Sequence, residues 1–152
     1  NTGLMLVGEA PGKREDDLEK PFQGPAGKLL DELLAELGLD RSKLYIDNVV
    51  RCRPPGNRKP EPEEVKACSP YMRGVLQVVK PRVAVALGGT ALYGLTGKEK
   101  ISLWRGKKIW SKYGFMVVPT WHPAYCLRNR STVPELKADL AMAVRSLGLF
   151  KI

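Results

Sequence analysis

Histidine is nearly absent from this chain: His122 is the only one among 152 residues. That excludes a His-rich metal centre. Cysteine is scarce and odd in number, at three, which does not fit the framework of a secreted disulfide-rich domain. No apolar run approaches the roughly 20 residues of a membrane span, and no signal-peptide pattern is present. Nucleotide loops are incomplete as well. Gly8-Glu9-Ala10-Pro11-Gly12-Lys13 is one residue short of a P-loop, and Arg14 stands where a Mg²⁺-binding Ser or Thr belongs. Gly24-Pro25-Ala26-Gly27-Lys28 fails in the same way. A G-x-S-x-G elbow is missing, which removes the usual setting of a Ser-His-Asp triad.

What remains is a chain with enough apolar residues, 43%, to bury one core, so residues 1–152 read as one domain. The chain opens on Asn rather than Met, and a strand begins within a few residues, so the N-terminus is expected to be incomplete. Net charge is +9, and it is uneven. Residues 1–48 carry 6 Lys/Arg against 10 Asp/Glu, and residues 49–152 carry 19 against 6. A basic segment of that size suits a polyanion, nucleic acid first; a solvated basic face is the plainer alternative. The cysteine usage suits a cytoplasmic protein.

Leu4–Val7, Tyr45–Val50, Val83–Leu87 and Phe115–Pro119 read as strands. They are continuous apolar runs, the pattern of a parallel sheet buried on both faces. Between them lie an amphipathic helix over Ala26–Leu37, whose Leu29, Leu30, Leu33, Leu34 and Leu37 share a face, and a helix from Pro62 to about Val79 with Pro70 inside it. A short helix follows from Thr90, and Val133–Ser146 forms the last. Ile101–Trp110 reads as basic and irregular. The expected fold class is therefore α/β: a single-domain three-layer αβα sandwich with a central four-stranded parallel sheet. Ligands of such sheets bind beyond the carboxyl ends of the strands. Those ends carry Gly8–Gly12, Asn48, Gly88-Gly89 and His122-Pro123, which should converge on one crevice.

His122 leaves a strand between Trp121 and Pro123, where it can donate a hydrogen bond to a developing oxyanion. Phe22 sits on a stiff loop between Pro21 and Pro25, not on an apolar face, and can stack on a planar ligand. Cys52 and Cys68 make half of a four-thiolate site or a pair of inert buried thiols. Cys126 reads as apolar filler.

Taken together, "VGEAPG" at 7–12, "KPFQGPAGKLL" at 20–30, "YIDNVVRCRPPGNRKPEPEEVKAC" at 45–68, "VALGGTAL" at 85–92 and "WHPAY" at 121–125 resemble the uracil-DNA glycosylases of the family 4 type, the iron–sulfur class. The resemblance runs in order over nearly the whole chain. It implies a prokaryotic base-excision repair enzyme that acts on uracil-containing DNA as a monomer, in the cytoplasm and at the nucleoid. Phe22 would stack on the flipped base. Asn48 would read the O4 and N3–H edge, and His122 would donate to O2 as the base leaves. Gly8, Glu9 and Gly12 would lie against the sugar and hold the attacking water. At position 10 some relatives place an Asp as water-activating base; Ala10 activates nothing, so leaving-group stabilisation must carry more of the rate.

Base extrusion would use Tyr125 and Leu127 as wedges. Arg128, Arg130, Arg53, Arg58 and Lys59 would contact phosphates, as would Arg51, Arg105, Lys107 and Lys108. Cys52 and Cys68 would supply two ligands of a [4Fe–4S] cluster whose other two thiolates, in the family, lie upstream of the first strand; none stands there in this sequence. The alternative function is a nucleic-acid-binding module of the same fold without glycosylase activity.

Overall fold

The computed structural model describes residues 3–9, 24–48 and 61–148. Strand β1 is Leu4–Gly8, helix α1 Pro25–Glu36 and strand β2 Tyr45–Asn48. Helix α2 spans Pro62–Val79, strand β3 Val83–Leu87 and helix α3 Gly89–Thr96. The chain continues through helix α4 (Ile101–Trp104), strands β4 (Ile109–Trp110) and β5 (Met116–Thr120), and helices α5 (Pro123–Arg128) and α6 (Val133–Leu147).

The sheet order is β2-β1-β3-β5-β4. The first four strands are parallel, as the sequence predicts; β4 adds a short antiparallel edge beside β5. This fifth strand corrects the reading of residues 101–110 as irregular. Ser111 makes it form: its N–H donates to Phe115 O at 2.8 Å, and its hydroxyl accepts from the N–H groups of Tyr113 and Phe115, both at 3.1 Å. Two residues are too few to show an alternation in sequence.

Alternating side chains of the buried strands feed two separate cores. Leu4, Leu6, Val83, Val85, Leu87 and Val118 meet the leucines of α1 and Leu136 and Leu140 of α6 on one face. Met5, Val7, Ala84, Ala86 and Val117 meet α2 and α3 on the other. These are the three expected layers. Each fully buried Leu or Val side chain contributes about 1.5–3 kcal/mol by leaving water.

Helix α1 begins with Pro25 at its first turn and ends before Gly38, whose φ of +78° suits the position after a helix end. Pro70 lies inside α2 and has no N–H for the carbonyl four residues back. That carbonyl, Lys66 O, accepts from the Ser69 hydroxyl at 2.9 Å instead.

The chain leaves β1 for β2 on one side, then crosses to β3 on the other. The order therefore reverses between β1 and β3, and the carboxyl ends there bound a crevice. Register places the exits side by side: Gly8 pairs with Asn48, Val7 with Ala86, and Leu87 with Thr120.

Candidate active site

Asn48 is the last residue of β2 and only 8% exposed. Its N–H donates to Asp47 Oδ1 at 2.8 Å, within a buried pair at the sheet end. Gly8, its register partner, is buried, and Glu9 follows it half-buried. These three sequence-predicted residues therefore lie together. Ala10, Gly12 and Phe22, and likewise Cys52, Arg53, Arg58 and Lys59 with Arg51, lie outside the described residues.

On the other side of the reversal point, Thr120 ends β5 and His122 caps the start of α5. The imidazole Nδ1 accepts the Ala124 N–H at 3.0 Å, while His122 O accepts from Tyr125 N at 3.0 Å. An Nδ1 that accepts is unprotonated, so the neutral ring carries its proton on Nε2. Burial, with a smaller contribution from the charge of Arg128, lowers the His122 pKa from 6.5 to about 4. The ring is thus a neutral donor at physiological pH, with one defined N–H.

Gly88 lets this ring lean inward. It stands at φ +98°, its N–H donates to Thr120 O at 2.9 Å, and a Cβ placed on it would lie 3.1 Å from the His122 Cβ. The imidazole consequently packs against the exit of β3 rather than staying over β5. Strands lie about 4.8 Å apart, so the β3 and β2 exits are separated by roughly 10 Å. Asn48 stands at the β2 exit and His122 beside the β3 exit, with the β1 exit at Gly8 between them.

Helix α5 carries the other predicted residues. Tyr125 is 37% exposed and stacks on Trp121, with centroids 4.8 Å apart and planes at 22°. Leu127 is half-buried and packs on the α1/α6 core, while Arg128 and Arg130 are exposed. Cys126 points into that same core, fully buried, and burial pushes its thiol pKa up.

Sequence reasoning missed what stands behind His122. Asp139, 1% exposed, takes both Arg105 Nε at 3.0 Å and an Arg105 terminal nitrogen at 2.7 Å, and accepts the Thr120 hydroxyl at 2.6 Å. Arg105 also donates to Glu135 Oε2 at 3.1 Å, and Glu135 Oε1 accepts the Trp121 indole N–H at 3.2 Å. Arg105, a phosphate candidate by sequence, is therefore an internal clamp, and the hydrogen bonds to Asp139 raise its pKa further. Glu135 and Asp139 are one helical turn apart, a spacing visible in the sequence; their partner thirty-odd residues away is not.

For a [4Fe–4S] cluster, four thiolates are needed. The sequence holds three cysteines. Cys126 is sealed in the α1/α6 core, whereas Cys68 packs half-buried against the core on the opposite face of the sheet. No group of three metal-binding side chains occurs among the described residues. These three cysteines alone do not complete a four-thiolate set. No described helix is long and apolar enough to cross a membrane.

The family model for the Uracil DNA glycosylase superfamily matches residues 1–147. A type-4 uracil-DNA glycosylase of Thermotoga maritima is 48% identical over 133 residues, covering 86% of this chain and 69% of the relative. One from Pyrobaculum aerophilum is 45% identical, covering 92% and 76%. One from Saccharolobus solfataricus is 42% identical, covering 95% and 71%. By the family model and these relatives, the chain belongs to the uracil-DNA glycosylase superfamily and is a glycosylase of the type-4 kind.

Proposed function

We propose that this protein hydrolyses the N-glycosidic bond of uracil in DNA, releasing free uracil and leaving an abasic site. The observation that carries the reading is the tautomer of His122: Nδ1 is occupied by the Ala124 N–H, which leaves Nε2–H as the nitrogen that can donate to a leaving base. As the bond from C1′ to N1 breaks, its electron pair goes to the base and charge builds on O2. The His122 Nε2–H stabilises that charge, and the site keeps its proton rather than passing it on. A cationic imidazole is not needed, and the low pKa supports the neutral form.

Asn48 matches the O4 and N3–H edge of uracil with one acceptor and one donor, and mismatches the amino group of cytosine. Phe22 stacks on the flipped ring. Glu9 and the backbone of Gly8 and Gly12 hold the water that attacks C1′; one water proton is released and the other stays as the new sugar hydroxyl. Since Ala10 cannot act as a base, the positive sugar is sheltered chiefly by the leaving base and by the DNA phosphates. Tyr125 and Leu127 act on the gap left by the extruded base, and Arg53, Arg58, Lys59, Arg128 and Arg130 hold the backbone. Cys52 and Cys68 would supply two of the four thiolates that a [4Fe–4S] cluster needs; iron and sulfide analysis of the purified protein tests that part.

The test is an oligonucleotide with a single uracil, treated with alkali after incubation. Strand breaks that need both the protein and the uracil support the proposal. DNA retention without breaks points to a binding module instead.

A further inference from the structure

The two residues that lead into His122 are each tied by their side chains to one helix. Thr120 bonds Asp139, Trp121 bonds Glu135, and both carboxylates sit on α6 one turn apart. Arg105 bridges the two, bidentate on Asp139 and single on Glu135. Gly106, next along, donates its N–H to Pro119 O at 3.1 Å, which anchors the clamp to β5 itself. Thr120 is fully buried.

Such a network is a poor device for stability alone, because desolvating a carboxylate and a guanidinium costs about as much as their attraction returns. What it supplies is direction. A guanidinium fork holds a carboxylate in one plane. Anchors on two consecutive residues leave the third little freedom.

We propose that Asp139, Arg105 and Glu135 form a positioning assembly for His122: by holding Thr120 and Trp121 they set the direction in which β5 delivers the imidazole to the leaving base. The proposal rests on the reading of His122 given above. None of the three touches the substrate; each acts through the backbone and the Trp121 ring. A misplacement of about 1 Å at a reacting group costs on the order of 10²-fold in rate.

Thr120→Val removes only the hydroxyl, Thr120→Ser retains it, and Asp139→Asn breaks the fork. Three readouts are taken on the full chain. The first is the single-turnover rate on a uracil oligonucleotide, beside its dissociation constant. The second is the ¹⁵N imidazole spectrum, which contains one residue because the chain has one histidine. The third repeats the rates in a His122→Ala background.

Thr120→Val and Asp139→Asn are expected to slow the single-turnover step by ten- to a hundredfold, on the order of the misplacement cost. The dissociation constant should hold within about twofold, the usual scatter of independent sites. Both should move the imidazole spectrum from the Nε2–H form toward a mixture, and Thr120→Ser should restore rate and spectrum. Without His122, either substitution should add less than about twofold. The proposal is overturned if both slow the His122→Ala protein as much as the parent, or if rates fall while the imidazole spectrum stays unchanged. Should Asp139→Asn fail to fold, Thr120→Val carries the test. If His122→Ala alone cleaves like the parent, the catalytic reading of His122 is wrong; the spectrum then decides positioning, a change upholding it and no change removing it.

Discussion

Gly88 and His122 touch across two strand exits: the space where a Gly88 Cβ would stand lies 3.1 Å from the His122 Cβ, and Gly88 has φ +98°. A side chain there meets both backbone strain and a clash. Gly88→Ala should lower stability by about 1–3 kcal/mol and slow uracil release on the order of 10²-fold as the ring is pushed back. Thermal melting and single-turnover cleavage, run together, check this; a variant that melts and cleaves like the parent removes the contact from the mechanism.

The acid side of the activity profile should lie near pH 4, the pKa of the half-buried His122, rather than near 6.5. Protonation at Nδ1 would turn the acceptor of the Ala124 N–H into a second donor facing it. Stability follows the same group. Between pH 6.5 and about 4 the unfolded chain takes up a proton that the folded chain refuses, so acid favours unfolding. The contribution is whole above 6.5 and declines as pH falls toward 4. Melting temperatures of the parent and of His122→Ala, compared across pH 7 to 4, should converge on the acid side.

His122→Ala should cost roughly 10²–10³-fold in the rate of base release, the typical loss of one oxyanion donor. The dissociation constant for uracil DNA should change far less. Rapid-quench measurement with enzyme in excess separates the two.

Asn48→Ala should slow uracil release on the order of 10²-fold and narrow the discrimination against cytosine, because the group that mismatches the amino substituent is gone. Competing uracil and cytosine oligonucleotides give the ratio directly. A ratio as large as that of the parent would take base reading away from Asn48.

Arg128 bears on two quantities at once. Its charge contributes to the low His122 pKa, so Arg128→Gln should shift that pKa upward. If it also contacts a duplex phosphate, the same change should reduce the salt slope of DNA binding by about 0.9. Titration of the single imidazole and anisotropy at several salt concentrations give the two answers independently.

Much of the sheet was legible because its strands are unbroken apolar runs: Leu4–Gly8 and Val83–Leu87 are buried at every position. The leucines of α1 announced their face in the same way. Asn48 and His122 could be singled out because each stands at a strand exit, and topology then brings strand ends together. What could not be read depends on partners distant in sequence. Arg105 looked like one more cation of a basic stretch until Asp139 appeared 34 residues on. Gly88 could be read as a strand exit, but not as the residue that the His122 Cβ closes on. The Nε2–H form of the ring follows from one backbone N–H, and no residue pattern encodes it.

Strand β4 has one further consequence. It is two residues long, Ile109 and Trp110, and Ile109 packs against the core, so along that margin a neighbouring molecule finds almost no free ladder to extend. A basic protein that gathers on a polyanion is brought close to its own copies. A margin that short is a poor template for strand pairing between such copies.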